Sequence, residues 1–93
     1  MALSMQLVTS STIDYNNNGF LFDCTSGSFT ITLPDASVGN GINYQMKRID
    51  NSANTVTLQG YTSSQKIDNT VTRLVRFSDA FLLVSYGSNW YRM

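Results

Sequence analysis

At 93 residues the chain suits a single domain of modest core, one that buries only about 60–65% of the surface its unfolded form exposes. Charged residues make up 13% of it and balance to a net charge of zero, which removes the electrostatic case for nucleic acid or an anionic membrane as partner. There is no His, and Cys24 is the lone cysteine; this excludes Ser–His–Asp and Cys–His catalysis, an internal disulfide and a cysteine-based metal site.

All the acids are Asp, Lys is scarce, and Thr, Val, Ile, Phe and Tyr are abundant, a balance that favours strands over helices. Residues 1–4 are expected to be disordered or foreign to the natural chain. The start MALSMQLVTSS has neither the basic end nor the long apolar stretch of a signal peptide, so the chain is expected to be made in the cytosol and used unprocessed. No apolar run approaches the ~20 residues of a membrane span.

Met5 to Tyr15 reads as one strand or two short ones. Asn16-Asn-Asn-Gly19 reads as a turn of the primed hairpin kind, which needs residues tolerant of positive φ. Phe20, Phe22 and Cys24 alternate with Leu21 and Asp23 as a strand, and Thr25-Ser-Gly27 is a second turn. Phe29, Ile31 and Leu33 follow in strict period 2 until Pro34, which lacks a ladder donor. A loop from Asp35 to Gly41 leads to a strand with Ile42, Tyr44 and Met46 on one face. Ile49 falls on the opposite parity, which predicts either a bulge near Lys47 and Arg48 or a strand covered on both faces.

Asp50 to Asn54 is a polar turn. Val56 and Leu58 form a strand ended by Gly60, and Tyr61 to Gln65 is a polar loop. Lys66 to Asp68 is a short strand before a turn at Asn69. Val71, Val75 and Phe77 share a face that Arg73 and Arg76 interrupt. Phe81-Leu-Leu-Val84 is continuously apolar, so its strand is predicted to be buried on both faces. Gly87-Ser-Asn89 turns the chain into a closing strand, Trp90 to Met93. About eight strands at roughly 8–12-residue spacing predict an all-β domain spanning residues 1–93, a small antiparallel β-sandwich or partly open barrel.

The ordered series Thr30-Ile-Thr-Leu-Pro34, Tyr44-Gln-Met-Lys-Arg-Ile-Asp50, Ser52-Ala-Asn-Thr-Val-Thr-Leu58, Ile67-Asp68 and Phe81 to Tyr91 resembles a β module of tailed-bacteriophage tail fibres, baseplate proteins and receptor-binding proteins. It is similar to the shoulder-type domains of siphophage receptor-binding proteins. The resemblance covers roughly residues 14–91. It implies a β-sandwich, often within a homotrimer, and supplies no catalytic residues, cofactor or metal. It therefore implies a non-enzymatic virion protein of the tail, baseplate or adhesion apparatus, made in the host cytoplasm, with other phage structural proteins as partners.

Surface candidates follow from residue type. A glycan of the host cell wall is the alternative ligand, with Tyr61, Tyr86, Trp90 and Tyr91 as stacking aromatics and Gln65 beside Tyr61 in a polar loop. Such aromatics more usually fill cores or interfaces: Tyr86 and Trp90 are expected in the core or at its rim, Trp90 closing one end with its indole N–H partnered, and Tyr61 packed on a neighbour. The Phe81 and Leu82 end of the apolar run suits an oligomer interface. Arg73 and Arg76 suit polar contacts at that interface or a solvated face. A paired-carboxylate enzyme would have to draw on Asp14, Asp23, Asp35, Asp50, Asp68 and Asp79, several of which sit at turns where Asp serves the backbone. Asp35 with its loop carbonyls is too few ligands for calcium. Cys24, at the parity of Phe20 and Phe22, is expected to be a buried small hydrophobe.

Overall fold

The computed structural model describes residues 4–93. Residues 1–3 of the expected disordered end lie outside that range, but Ser4 is held firmly. Its carbonyl accepts from the N–H groups of Asn18 and Gly19 at 3.0 and 3.1 Å, and its own N–H donates to Asn18 Oδ1 at 2.9 Å.

Eight strands form: β1 (Met5–Val8), β2 (Gly19–Phe22), β3 (Phe29–Thr32), β4 (Asn43–Arg48), β5 (Val56–Gln59), β6 (Thr72–Val75), β7 (Ala80–Tyr86) and β8 (Asn89–Arg92). Among the described residues a single 3-10 turn, Ala36–Val38, lies in the loop after Pro34, with Asp35 as its N-cap. No helix of the described residues is long and apolar enough to cross a membrane. The strands make two sheets, one in the order β1-β2-β4-β7-β8 and one in the order β3-β5-β6. The all-β expectation holds, and two stacked sheets fit a small sandwich.

The expected antiparallel pairing is only half right. β2 runs parallel to both β1 and β4, and β3 runs parallel to β5, while β4–β7, β5–β6 and β7–β8 are antiparallel. The cause is the path of the chain. From β2 to β5 it alternates between the sheets, so each return to a sheet points the same way as the last visit. The connection then acts as the crossover that parallel strands require.

The turns change meaning accordingly. No residue of Asn16-Asn-Asn-Gly19 takes positive φ, and Gly19 is buried at the start of β2. That segment is a corner between parallel strands, not a primed hairpin turn. The left-handed pairs lie at Asp68-Asn69 (φ 48° and 69°) and Gly87-Ser88 (φ 58° and 73°). The second of these closes the β7–β8 hairpin, where Tyr86 pairs with Asn89.

The inward faces supply the core. Phe20, Phe22, Tyr44, Met46, Leu83 and Trp90 of the larger sheet meet Ile31, Val56, Leu58 and Val75 of the smaller one, with Cys24, Leu33 and Ile67 filling the ends. Tyr15, Phe20, Tyr44 and Trp90 form a chain of tilted and edge contacts, with successive ring centroids 5.1 to 5.8 Å apart. Gly60 does end β5, for a reason of space: a Cβ there would collide with the Gln65 carbonyl.

Three local expectations need correction. β4 carries no bulge, because its pairing with β2 runs unbroken from Gln45 to Arg48. Arg48 itself continues the buried row of Tyr44 and Met46, and Ile49 lies exposed beyond the strand end. Of Val71, Val75 and Phe77 only Val75 is buried, since Val71 and Phe77 lie beyond the two ends of β6. β7 is not buried on both faces. Leu83 and Ser85 are fully covered, whereas Phe81, Leu82 and Val84 are half-covered, with Leu82 and Val84 on the outer face of the larger sheet.

Candidate functional site

The most developed polar site is buried. Arg48, at the inner end of β4, meets Asp50 through Nε–Oδ1 at 3.2 Å and Nη2–Oδ2 at 3.3 Å, with both side chains almost completely covered (6% and 7% exposed). The remaining guanidinium donors reach the carbonyls of Val75 (3.1 Å), Ser52 (3.1 Å) and Asn54 (2.7 Å). Asp50 accepts in addition from the Cys24 N–H, the Ser52 N–H and the Ser52 hydroxyl. Asn54 donates back to the Cys24 carbonyl at 2.8 Å.

The segment from Arg48 to Asn54 thus ties β4 of one sheet to β6 of the other and to the β2–β3 corner. Burial alone would push the Asp50 carboxyl upward, but the hydrogen bonds from Arg48, Ser52 and Cys24 outweigh it and hold the group well below the ordinary carboxylate range. Cys24 is fully buried, with Sγ 3.4 to 3.5 Å from the Asp50 oxygens.

Every Asp side chain accepts a backbone N–H. Asp14, Asp23, Asp35 and Asp50 each cap the residue two positions on, at 2.9 to 3.2 Å. Asp68 accepts from the Arg92 N–H and Asp79 from the Arg76 N–H. Asp35 also takes the Ser37 hydroxyl and the Gln65 amide, which together hold its carboxyl below the ordinary range. Among the described residues no group of three or more His, Cys, Asp or Glu is placed to hold a metal ion.

Asp68 and Asp79 do line one small hollow. Burial pushes the Asp68 carboxyl upward, but hydrogen bonds from Arg92 and Arg73 outweigh this and lower it, the reverse of what a general acid of a glycosidase pair requires.

The surface candidates separate. Trp90 is fully buried and its indole N–H donates to the Pro34 carbonyl at 3.2 Å, so it cannot stack on a ligand. Gln65 is also buried; its amide oxygen accepts from the Ala36 N–H at 2.9 Å and its NH2 donates to Asp35. The polar loop therefore uses Gln65 as an anchor and leaves Tyr61 out at 55% exposure. Tyr86 is exposed and Tyr91 half-buried.

Arg73 and Arg76 share a cleft with Arg92, which is a residue that composition and periodicity did not single out. Phe81 points inward beneath Arg92, whose guanidinium carbon lies 5.7 Å from the ring centroid. Leu82 and Val84 lie on the outer face of the larger sheet, separated from Met5, Leu7 and Leu21 by the polar outer row of β4, Asn43, Gln45 and Lys47. The outer face of the smaller sheet is mostly polar, with Thr30 beside Thr57 and Thr32 beside Gln59, and carries one exposed apolar residue, Leu74.

Comparison with protein-family models, curated proteins and solved structures gives no significant match.

Proposed function

We propose that the chain is a non-enzymatic component of a phage virion, a module of the tail, baseplate or adhesion apparatus that works by surface contact within a homo-oligomer, with a trimer favoured by the resemblance. The observation that carries the reading is how the signature residues are used. Pro34, Arg48, Asp50, Ser52, Asn54 and Trp90 all serve the scaffold, and all six carboxylates are committed to backbone N–H groups. Function then falls to surfaces. On the outer face of the larger sheet Met5, Leu7 and Leu21 on one side of β4, and Leu82 and Val84 on the other, offer two apolar patches divided by Asn43, Gln45 and Lys47, a mixed face of the kind that subunits cover. Mass spectrometry of purified particles is expected to find the chain at fixed stoichiometry; its absence from intact, infectious particles would sink the reading.

Exposed Tyr61, set in a rim of Thr62, Ser63 and Ser64, favours a second reading as a glycan-binding module. The Tyr61 side chain makes no hydrogen bond to the described residues, so Tyr61→Ala is expected to leave the melting temperature unchanged while abolishing adsorption to host cell walls. Equal adsorption by both proteins, or none by the unmutated chain, removes that reading.

A further inference from the structure

The edge of the smaller sheet and the edge of the larger one leave an open side between β6 and β8. A cleft of about 250 Å3 lies there, lined by Thr72, Arg73, Leu74, Arg76, Asp79 and Arg92. Three arginines and one aspartate wall it, half of the six basic residues of a chain whose net charge is zero. Two of the arginines are already fixed in place. Asp68 accepts from Arg92 Nε at 2.8 Å and from Arg73 Nη2 at 3.4 Å, and Arg92 lies over the Phe81 ring.

Asp68 engages only part of their donor capacity. Arg73 Nε is buried and has no hydrogen-bond partner among the described residues. The two Nη groups of Arg92 and the whole guanidinium of Arg76 make no hydrogen bond to the described residues either. The Asp79 carboxylate is turned to the Arg76 N–H at 2.8 Å and does not fill that role. Arg73 Nε itself is closed to solvent, but the Arg73 and Arg92 side chains remain 33% and 29% exposed, so their outer Nη groups are what a ligand in the cleft would meet. Guanidinium forks match the paired oxygens of carboxylate and phosphate, and pre-fixed forks lose little freedom on binding.

We infer that this cleft is an anion site that takes the carboxylate or phosphate group of a small polar ligand, with Arg73 Nη1, the Nη groups of Arg92 and the Arg76 guanidinium as its donors. The site stands on the cleft itself and does not depend on the chain's place in a particle.

The test is a titration of the folded, full chain with sodium glucuronate, glycerol phosphate and, at matched ionic strength, sodium chloride, read from the arginine Nε–Hε resonances in nitrogen-15 NMR. The Arg73 resonance is expected to move along a saturable curve with at least one organic anion, at millimolar half-saturation. A response to glucuronate alone assigns a carboxylate ligand, and one to glycerol phosphate alone assigns a phosphate. Arg76→Gln removes a charge whose side chain makes no hydrogen bond in the fold. It is expected to keep the native melting temperature and weaken binding about tenfold. No response to either organic anion, a response no greater than that to chloride, or undiminished binding by R76Q would overturn the site.

Discussion

Asp50→Ala is expected to remove about 3–5 kcal/mol of stability, the usual cost of breaking a buried ion pair by deleting one partner. The substitution leaves the Arg48 charge buried at 6% exposure and takes the acceptor from the Cys24 and Ser52 N–H groups. A domain of this size holds about 5–15 kcal/mol in all, so the loss approaches half of it and lowers the melting temperature by roughly 15–35 °C.

Arg48→Met should cost a similar amount. The double variant should cost well below the sum, because both changes disable one network. Calorimetric melts of the three variants decide the matter, and a loss below about 1 kcal/mol for Asp50→Ala would show that the network contributes little.

The pH dependence has a definite sign. Asp50, Asp68 and Asp35 all have folded-state carboxyls below their unfolded values. Their contribution is present above the unfolded carboxyl range near about pH 4 and is lost as pH falls through the lower folded values. The fold should therefore weaken in acid, and Asp50→Ala should flatten that decline.

The second large effect is at Trp90. Trp90→Ala is expected to cost about 3–5 kcal/mol, because it empties the largest fully buried side-chain site and strips the Pro34 carbonyl of its donor. Trp90→Phe keeps a ring against Tyr44 and loses mainly the indole hydrogen bond, for a cost of about 1–2 kcal/mol. Urea denaturation measures both. An alanine variant as stable as the native chain would mean that this end of the core repacks without loss.

The strands were legible because alternation is a local signal. The pairs Phe20/Phe22, Ile31/Leu33, Tyr44/Met46 and Val56/Leu58 are all buried on the inward face. Strand direction was not legible, since period 2 looks the same in parallel and antiparallel sheets, and the corner at Asn16 to Gly19 uses the residues of a hairpin.

Arg48 was missed for a related reason. A charge at an apolar parity reads as a break in phase, and its partner Asp50 read only as a turn former. In the fold they are one unit, with Asp50 serving the turn and the arginine together. Trp90 sits at the same inward parity as its partner Ser85 across the hairpin, a relation hidden until the register was known. The cleft arginines lie on β6, just beyond it and on β8, so no sequence window contains them together.

The alternation of the chain between sheets has a kinetic consequence. None of the first four strands pairs antiparallel with its sequence neighbour; β2 waits for β4, and β3 waits for β5. Loops must close before those contacts repay them, which places folding in the millisecond-to-second range. The tight β7–β8 hairpin is the one rapid local event, and it carries Trp90, the largest piece of the interior. During synthesis the apolar faces of β2 to β5 emerge before that hairpin does. Those faces can meet one another early, but the core lacks its largest side chain until β8 has been made.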